Sequence, residues 1–307
     1  MTFVPFRIPL RVRFRGVSER SGVLVRGPRG WGEFSPFPEY GPAESARWLD
    51  AALEAAAEPW PAPVRESVPV NAIVPAVPPA RAHEIAVASG CTTVKVKVAD
   101  GDDEARVEAV RDALGPGGRI RVDANGAWDV DEAARRISAL ARYDLEYVEQ
   151  PVATLEEMAE LRGRVDVALA ADESLRKAPD PLHVPGLAAA DLIVLKVQPL
   201  GGVRRCLAVA EATDRPAVVS SAVETSVGLA AGLALAAALP ELPYACGLGT
   251  QSLLAGDVTR DPLVPRDGAL AVRRPDVDED ALAPFDVTGD PEGEALIDRL
   301  RAAEAAR

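Results

Sequence analysis

The sequence predicts an α/β protein: a compact (β/α)8-type barrel joined to an N-terminal α+β domain that the C-terminal tail completes. Three observations carry this. From Val68 to about Leu248, short apolar strands alternate with helices. Charged residues recur at the strand ends at a near-constant interval. The first 66 residues differ, reading as antiparallel strands followed by one helix. These shifts place domains at 1–66, 67–252 and 253–307.

Phe3–Phe14 and Gly22–Arg26 alternate like antiparallel strands, and Gly27-Pro28-Arg29-Gly30 is a turn signal. Ala43–Ala57 has helical apolar spacing, and Pro59, Pro61 and Pro63 make a stiff linker. The barrel strands are predicted at Val70–Val74, Thr93–Val98, Ile120–Asp123, Tyr147–Glu149, Val167–Ala171, Asp191–Val197, Ala217–Ser221 and Tyr244–Gly247. Helices fill the gaps, among them Asp103–Leu114, Val130–Ala141, Val203–Thr213 and Ser226–Ala238. A doubly wound open sheet is the alternative, weakened because no strand is followed by GxGxxG. Beyond Ser252 the chain is rich in Pro and Asp. It holds a strand-like run, Ala269–Val272, and a final helix near Glu292–Ala306. This tail is expected to pack back on the N-terminal domain.

Composition excludes several functions. The net charge of −13, without a long basic block, argues against nucleic acid as a partner. No apolar run reaches the ~18–20 residues of a membrane span, and the N-terminus lacks a signal-peptide pattern. Cys91, Cys206 and Cys246 are odd in number with no CxxC, which fits a reducing cytoplasm rather than a disulfide frame or zinc site. His83 and His183 fall in helix-like stretches and are given no catalytic role.

Lysine usage is more informative. Of 34 basic residues only Lys95, Lys97, Lys177 and Lys196 are lysines. Three of them lie in the strands Thr93–Val98 and Asp191–Val197. Arg serves for surface charge elsewhere in the chain. A lysine kept inside a strand suggests a task Arg cannot do, such as losing its proton near neutral pH.

The strand-end charges fall at Lys97, Asp123, Glu149, Asp172 and Lys196, with Ser220 next, at intervals of 26, 26, 23, 24 and 24 residues. Each interval is one strand–helix–return unit, so a barrel gathers them at one mouth, where barrels keep their active sites. Three carboxylates from adjacent strands repel unless a cation joins them, and oxygen-only ligands suit Mg2+. Lys95 and Lys97, two apart on a strand, share a face, and each disfavours the other's charge. That favours an amine able to act as general base, with Lys196 facing it across the ring. The set suits proton abstraction next to a carboxylate, with one divalent cation stabilising the enediolate. A Schiff-base aldolase also uses a barrel lysine but has no need of three carboxylates.

The motifs KVK, DAN, VEQP, DES and LKV, in this order and spacing, resemble the enolase superfamily, in its muconate-lactonising-enzyme-like subgroup. The resemblance spans the whole chain and implies an α+β capping domain over a barrel. RVDANGAW (121–128), SSAVETSVG (220–228) and GLGT (247–250) are most similar to one branch. That branch syn-dehydrates 2-succinyl-6-hydroxy-2,4-cyclohexadiene-1-carboxylate in menaquinone biosynthesis.

The resemblance implies Mg2+ on Asp123, Glu149 and Asp172. It implies Lys97 as base and then acid, Lys95 tuning it, and Lys196 as a cation facing the enediolate. Ser220 and the Gly247 backbone would hold the succinyl carboxylate. Arg121 and Asn125, counted with the substrate-binding residues, would support the metal side, and Glu173 would lie behind the ligands. A capping-domain loop near Val17–Gly22 would close over the small-molecule carboxylate substrate. Gln150 departs from relatives that carry Glu there, and Lys177 matches nothing and is expected on a solvated helix. Open alternatives are an N-succinylamino-acid racemase, a muconate-type cycloisomerase and a non-catalytic metal-binding barrel. Oligomeric state is open.

Overall fold

The structure, a computed structural model, describes all 307 residues. Strands β1 (Thr2–Phe14), β2 (Val17–Gly27) and β3 (Gly30–Phe34) form an antiparallel sheet in chain order. The β1–β2 turn is Arg15-Gly16, with φ of 51° and 81°, the left-handed pair that suits a two-residue hairpin. Helix α1 (Pro42–Ala57) packs on β3. Gly32 permits that approach, because a Cβ there would collide with the Ala52 carbonyl oxygen.

The strand expected from Gly22 therefore begins at Val17, and the loop expected near Val17–Gly22 is part of β2. Ser18-Glu19-Arg20-Ser21 looks too polar for a strand. Yet Arg20 faces inward and is buried, because its guanidinium is hydrogen-bonded.

The barrel follows. Strand β4 (Ser67–Pro69) leads into β5 (Ala72–Val74), and helix α2 (Pro79–Ser89) connects to β6 (Thr93–Lys97). Then come α3 (Asp103–Leu114), β7 (Arg119–Asp123), α4 (Val130–Leu140), β8 (Leu145–Glu149), α5 (Leu155–Arg162) and β9 (Leu169–Ala171). The short α6 (Glu173–Arg176) precedes β10 (Leu192–Leu195) and the short α7 (Val197–Leu200). Helix α8 (Val203–Thr213), β11 (Ala217–Val219) and α9 (Ser226–Ala238) complete the set. β5 to β11 form one parallel sheet in chain order.

Residues 244–247 close this sheet as an eighth stave. Cys246 N donates to Pro69 O at 2.7 Å, and Gly247 N donates to Val219 O at 2.8 Å. The stave is held by isolated bridges, Val70–Cys246 and Ser220–Gly247, rather than a full ladder.

Acidic and hydroxyl caps start the outer helices: Asp102 for α3, Asp129 for α4, and Thr154 with Glu157 for α5. Helix α9 is apolar all round because it is sandwiched, with β11 on one side and β3 on the other. No long helix joins β9 to β10. Pro179, Pro181, Pro185 and Gly186 break that stretch. His183 consequently sits in an exposed turn against Asp180 rather than on a helix. Lys177 caps the end of α6, its ammonium 5.4 Å from the Tyr40 ring centroid.

In the tail, β12 (Ala269–Ala271) pairs antiparallel with β4. After the short α10 (Glu279–Leu282), α11 (Pro291–Ala305) packs against α1, β1 and β2. No helix is long and apolar enough to cross a membrane.

Candidate active site

Register decides which side chains meet. Lys97 pairs with Asp123, and Asp123 with Glu149, so these three form one layer at the C-terminal mouth. Lys95, Arg121 and Tyr147 pair in the layer below. Asp172 directly follows β9, and Lys196 directly follows β10. All seven charged groups are buried, and buried charges demand partners.

Lys97 Nζ lies 2.5 Å from Asp123 Oδ2 and 2.6 Å from Asn125 Oδ1. Lys95 Nζ donates to both Glu149 oxygens at 2.9 Å and lies 3.2 Å from Asp123 Oδ2. Lys196 Nζ donates to Asp172 Oδ2 at 2.6 Å, and Arg176 Nε donates to Asp172 Oδ1 at 2.9 Å.

The two neighbouring lysines are pushed apart electrostatically. Burial lowers the Lys97 pKa, Asp123 opposes this, and the Lys95 charge lowers it further. Burial also works against the Lys95 ammonium, but Glu149 and Asp123 outweigh it and raise its pKa. Among the acids, Asp123 is held below its ordinary range despite burial, because Lys97 and Lys95 face it. Burial and then the charge of Asp123 raise Glu149. Burial and then Glu173 raise Asp172 to about 6.

These acids suit a hard divalent cation: three oxygen donors on consecutive strand ends, two of them raised by burial and neighbouring charge. Ammonium and guanidinium groups lie against them in this structure, and no three acidic side chains converge closely enough to hold an ion among them. A dication therefore competes with Lys95 and Lys196 for these oxygens.

The cavity above this layer is also lined by Ser220 and Gly247. A Cβ on Gly247 would come within 2.5 Å of Ser220 Oγ, so the pair depends on glycine. Asn125 is brought in through Lys97 and also donates to Glu173 at 3.1 Å. Glu173 further accepts from Arg176 at 2.6 Å and Arg15 at 3.4 Å, while its other oxygen is buried without a partner. Arg121 is not among the cavity-lining residues. It is fully buried one layer down, donating to Glu146 at 2.6 Å, Asn71 at 3.0 Å and the Ala245 carbonyl at 2.5 Å.

Gln150 has a local role. Its Oε1 accepts from Asp172 N at 3.0 Å and Ser174 N at 3.1 Å, while its Nε2 donates to Val152 O and Ser174 Oγ. A glutamate could accept those backbone donors but could not supply the Nε2 bonds.

Several lining residues escaped sequence reasoning. Phe14 and Arg15 arrive from the β1–β2 turn, Phe37 follows β3, and Val223 and Thr250 come from loops. Nothing local marks them as cavity residues. Arg176 was also missed, although its place four residues after Asp172, at helical spacing, is a signal that could have found it.

Residues 79–276 match the Enolase C-terminal domain-like family, and residues 5–56 match the Enolase N-terminal domain-like family. The o-succinylbenzoate synthase of Thermobifida fusca (strain YX) is 63% identical, the match covering 100% of this chain and 97% of that one. The o-succinylbenzoate synthase of Mycolicibacterium smegmatis is 53% identical over 97% of this chain and 94% of its own. In fold, the chain is similar to muconate lactonizing enzyme from Pseudomonas fluorescens complexed with muconolactone, with a TM-score of 0.80 at 22% identity, covering 92% of this chain and 97% of that one. N-succinyl Arg/Lys racemase from Bacillus cereus gives 0.78 at 21%, over 93% and 96%. Barrel and capping sheet agree with these matches: the chain belongs to the enolase superfamily, in the family of the o-succinylbenzoate synthases.

Proposed function

We propose that this chain performs the reaction named by the relatives it matches at 63% and 53% identity, o-succinylbenzoate synthesis. It syn-dehydrates 2-succinyl-6-hydroxy-2,4-cyclohexadiene-1-carboxylate to 2-succinylbenzoate, with Mg2+ as cofactor. The observation that carries this is a buried lysine whose proton affinity is lowered, Lys97, beside a second cation and three buried carboxylates on successive strand ends.

Asp123, Glu149 and Asp172 would hold the cation, and when bound it supplies Lewis-acid stabilisation of the carboxylate as negative charge develops. Neutral Lys97 takes the proton from the carbon bearing the carboxylate, and the electron pair moves into that carboxylate as an enediolate. The enediolate then collapses. The C–O bond to the ring hydroxyl breaks, the Lys97 ammonium returns its proton to the leaving oxygen, and water departs from an aromatic ring. Lys95, held on Glu149, keeps the Lys97 proton affinity low. Lys196 presents its ammonium to the developing charge. Ser220 and Gly247 are suited to the succinyl carboxylate. The Phe14 ring, its centroid 5.2 Å from Lys97 Nζ, shields the base from water. The cavity measures about 20 Å3, room for roughly one water molecule, so substrate entry requires its walls to shift.

Loss of cyclohexadiene absorbance, followed with Mg2+ and with EDTA, tests the reading. Mg2+-dependent loss is expected, and its absence with Mg2+ present overturns it. A second reading, racemisation of an N-succinylamino acid, draws on the same Lys97 and Lys196. Racemisation needs Lys196 to exchange a proton, so Lys196→Arg would abolish it while leaving some dehydration.

A further inference from the structure

One wall of the cavity is the turn between β11 and α9, where Ala222 and Val223 line it. Val223 has φ of 63°, a left-handed conformation that a β-branched residue holds only when its surroundings over-determine it. Its own loop supplies part of the restraint. Val223 N donates to Ser221 Oγ at 2.7 Å, and Glu224 accepts from Ala222 N at 2.8 Å.

The rest comes from the capping domain. Arg20, only 3% exposed, donates from Nε to the Val223 carbonyl at 3.2 Å and from a terminal nitrogen to the Ser35 carbonyl. The same guanidinium lies 4.0 Å from the ring centroid of Phe37, another lining residue. Glu33, on the neighbouring strand, ties down the far end of the turn. It accepts from Thr225 N at 3.1 Å, Thr225 Oγ1 at 2.5 Å and Gly228 N at 3.1 Å. The mechanism above uses none of these groups.

We propose that Arg20 is a positioning residue for substrate binding: it holds the strained Val223 turn and the Phe37 ring as one wall of the cavity without touching the reacting atoms. The lysines and carboxylates are placed by their own strands, so Arg20 acts on substrate affinity more than on chemistry. The kinetic part of this assignment rests on the dehydratase reading.

The test is a double-mutant cycle between Arg20→Met and Val223→Gly, with KM and kcat measured separately. Glycine adopts positive φ freely, so Val223→Gly relieves the strain that Arg20 restrains. Arg20→Met is expected to raise KM about tenfold with kcat within about twofold, and in the Val223→Gly background to raise KM less than about threefold. An equal KM rise in both backgrounds, an unchanged KM, or a fall in kcat alone overturns the assignment. Should Arg20→Met not fold, Arg20→Lys makes the same comparison, since it keeps the charge but loses the fork. Hydrogen exchange supplies a readout independent of turnover: Arg20→Met should selectively deprotect the amides of 221–225. If wild-type protein does not turn over the cyclohexadiene, the dehydratase reading fails while the exchange result still stands. Unchanged exchange in Arg20→Met sinks the Arg20 assignment.

Discussion

The barrel and capping sides of the cavity are built by opposite means. On the barrel side every functional group stands within two residues of a strand end, and parallel register brings Lys97, Asp123 and Glu149 level. On the capping side, Phe14 and Phe37 present rings, and buried Arg20 and Glu33 reach across to a barrel loop about 200 residues away in sequence. Charges on rigid strands set the chemistry, while packing between distant segments sets the fit. Changes on the barrel side should therefore reduce kcat, and changes on the capping side should move KM.

The largest departure is expected from Glu149→Gln. It replaces one carboxylate oxygen at the cation with an amide nitrogen and leaves Lys95 with Asp123 as its charged partner. Mg2+ activation should weaken by at least about 100-fold, since even groups behind metal ligands are worth ~10–100-fold. A Mg2+ titration of turnover checks this, and a change under threefold would contradict the ligand role.

The next comparison concerns the two lysines. Lys97 is lowered from its ordinary value by burial, against the opposing pull of Asp123, and further by Lys95 and Arg15. The rising limb of kcat/KM should therefore lie below the ordinary lysine pKa of about 10.4. Lys95→Gln removes a like charge, so the Lys97 pKa should rise and the limb should move to higher pH. A pH–rate profile in which the limb stays put or moves down contradicts the tuning role.

Gly247→Ala should act locally. The added Cβ displaces Ser220 Oγ, so kcat/KM should fall by roughly ten- to a hundredfold with the fold intact. Circular dichroism alongside steady-state kinetics separates this from misfolding. Gln150→Glu is expected to have the smallest effect. It keeps the acceptor for Asp172 N but leaves Val152 O and Ser174 Oγ without their donor. A stability loss of about 1–3 kcal/mol in urea unfolding follows from the lost bonds, with a modest rate loss through Asp172.

This contrast also explains what could be read from the sequence. The positions of Lys97, Asp123, Glu149, Asp172 and Lys196 were legible because each ends or directly follows a strand and the strand–helix unit has near-constant length. Helices Asp103–Leu114, Val203–Thr213 and Ser226–Ala238 were legible from apolar spacing and their bounding residues. The cavity wall was not. Arg20 carries a residue type that is mostly exposed, and nothing local shows that its partner is a carbonyl in a loop about 200 residues later. Arg121 marks an intermediate case. Its position two residues before Asp123 correctly puts both on the inner face, yet two residues along a strand is about 7 Å. That step drops its guanidinium into the layer beneath the cavity, among Glu146, Asn71 and Ala245.

The central claim is that Lys97 carries the proton in a cation-dependent dehydration. Its most direct test is Lys97→Ala, assayed by cyclohexadiene absorbance at saturating Mg2+, with Mg2+ affinity measured in parallel. Loss of a general base that also serves as acid should lower kcat by about 10^4-fold, with Mg2+ binding retained. Turnover within tenfold of wild type would contradict the account.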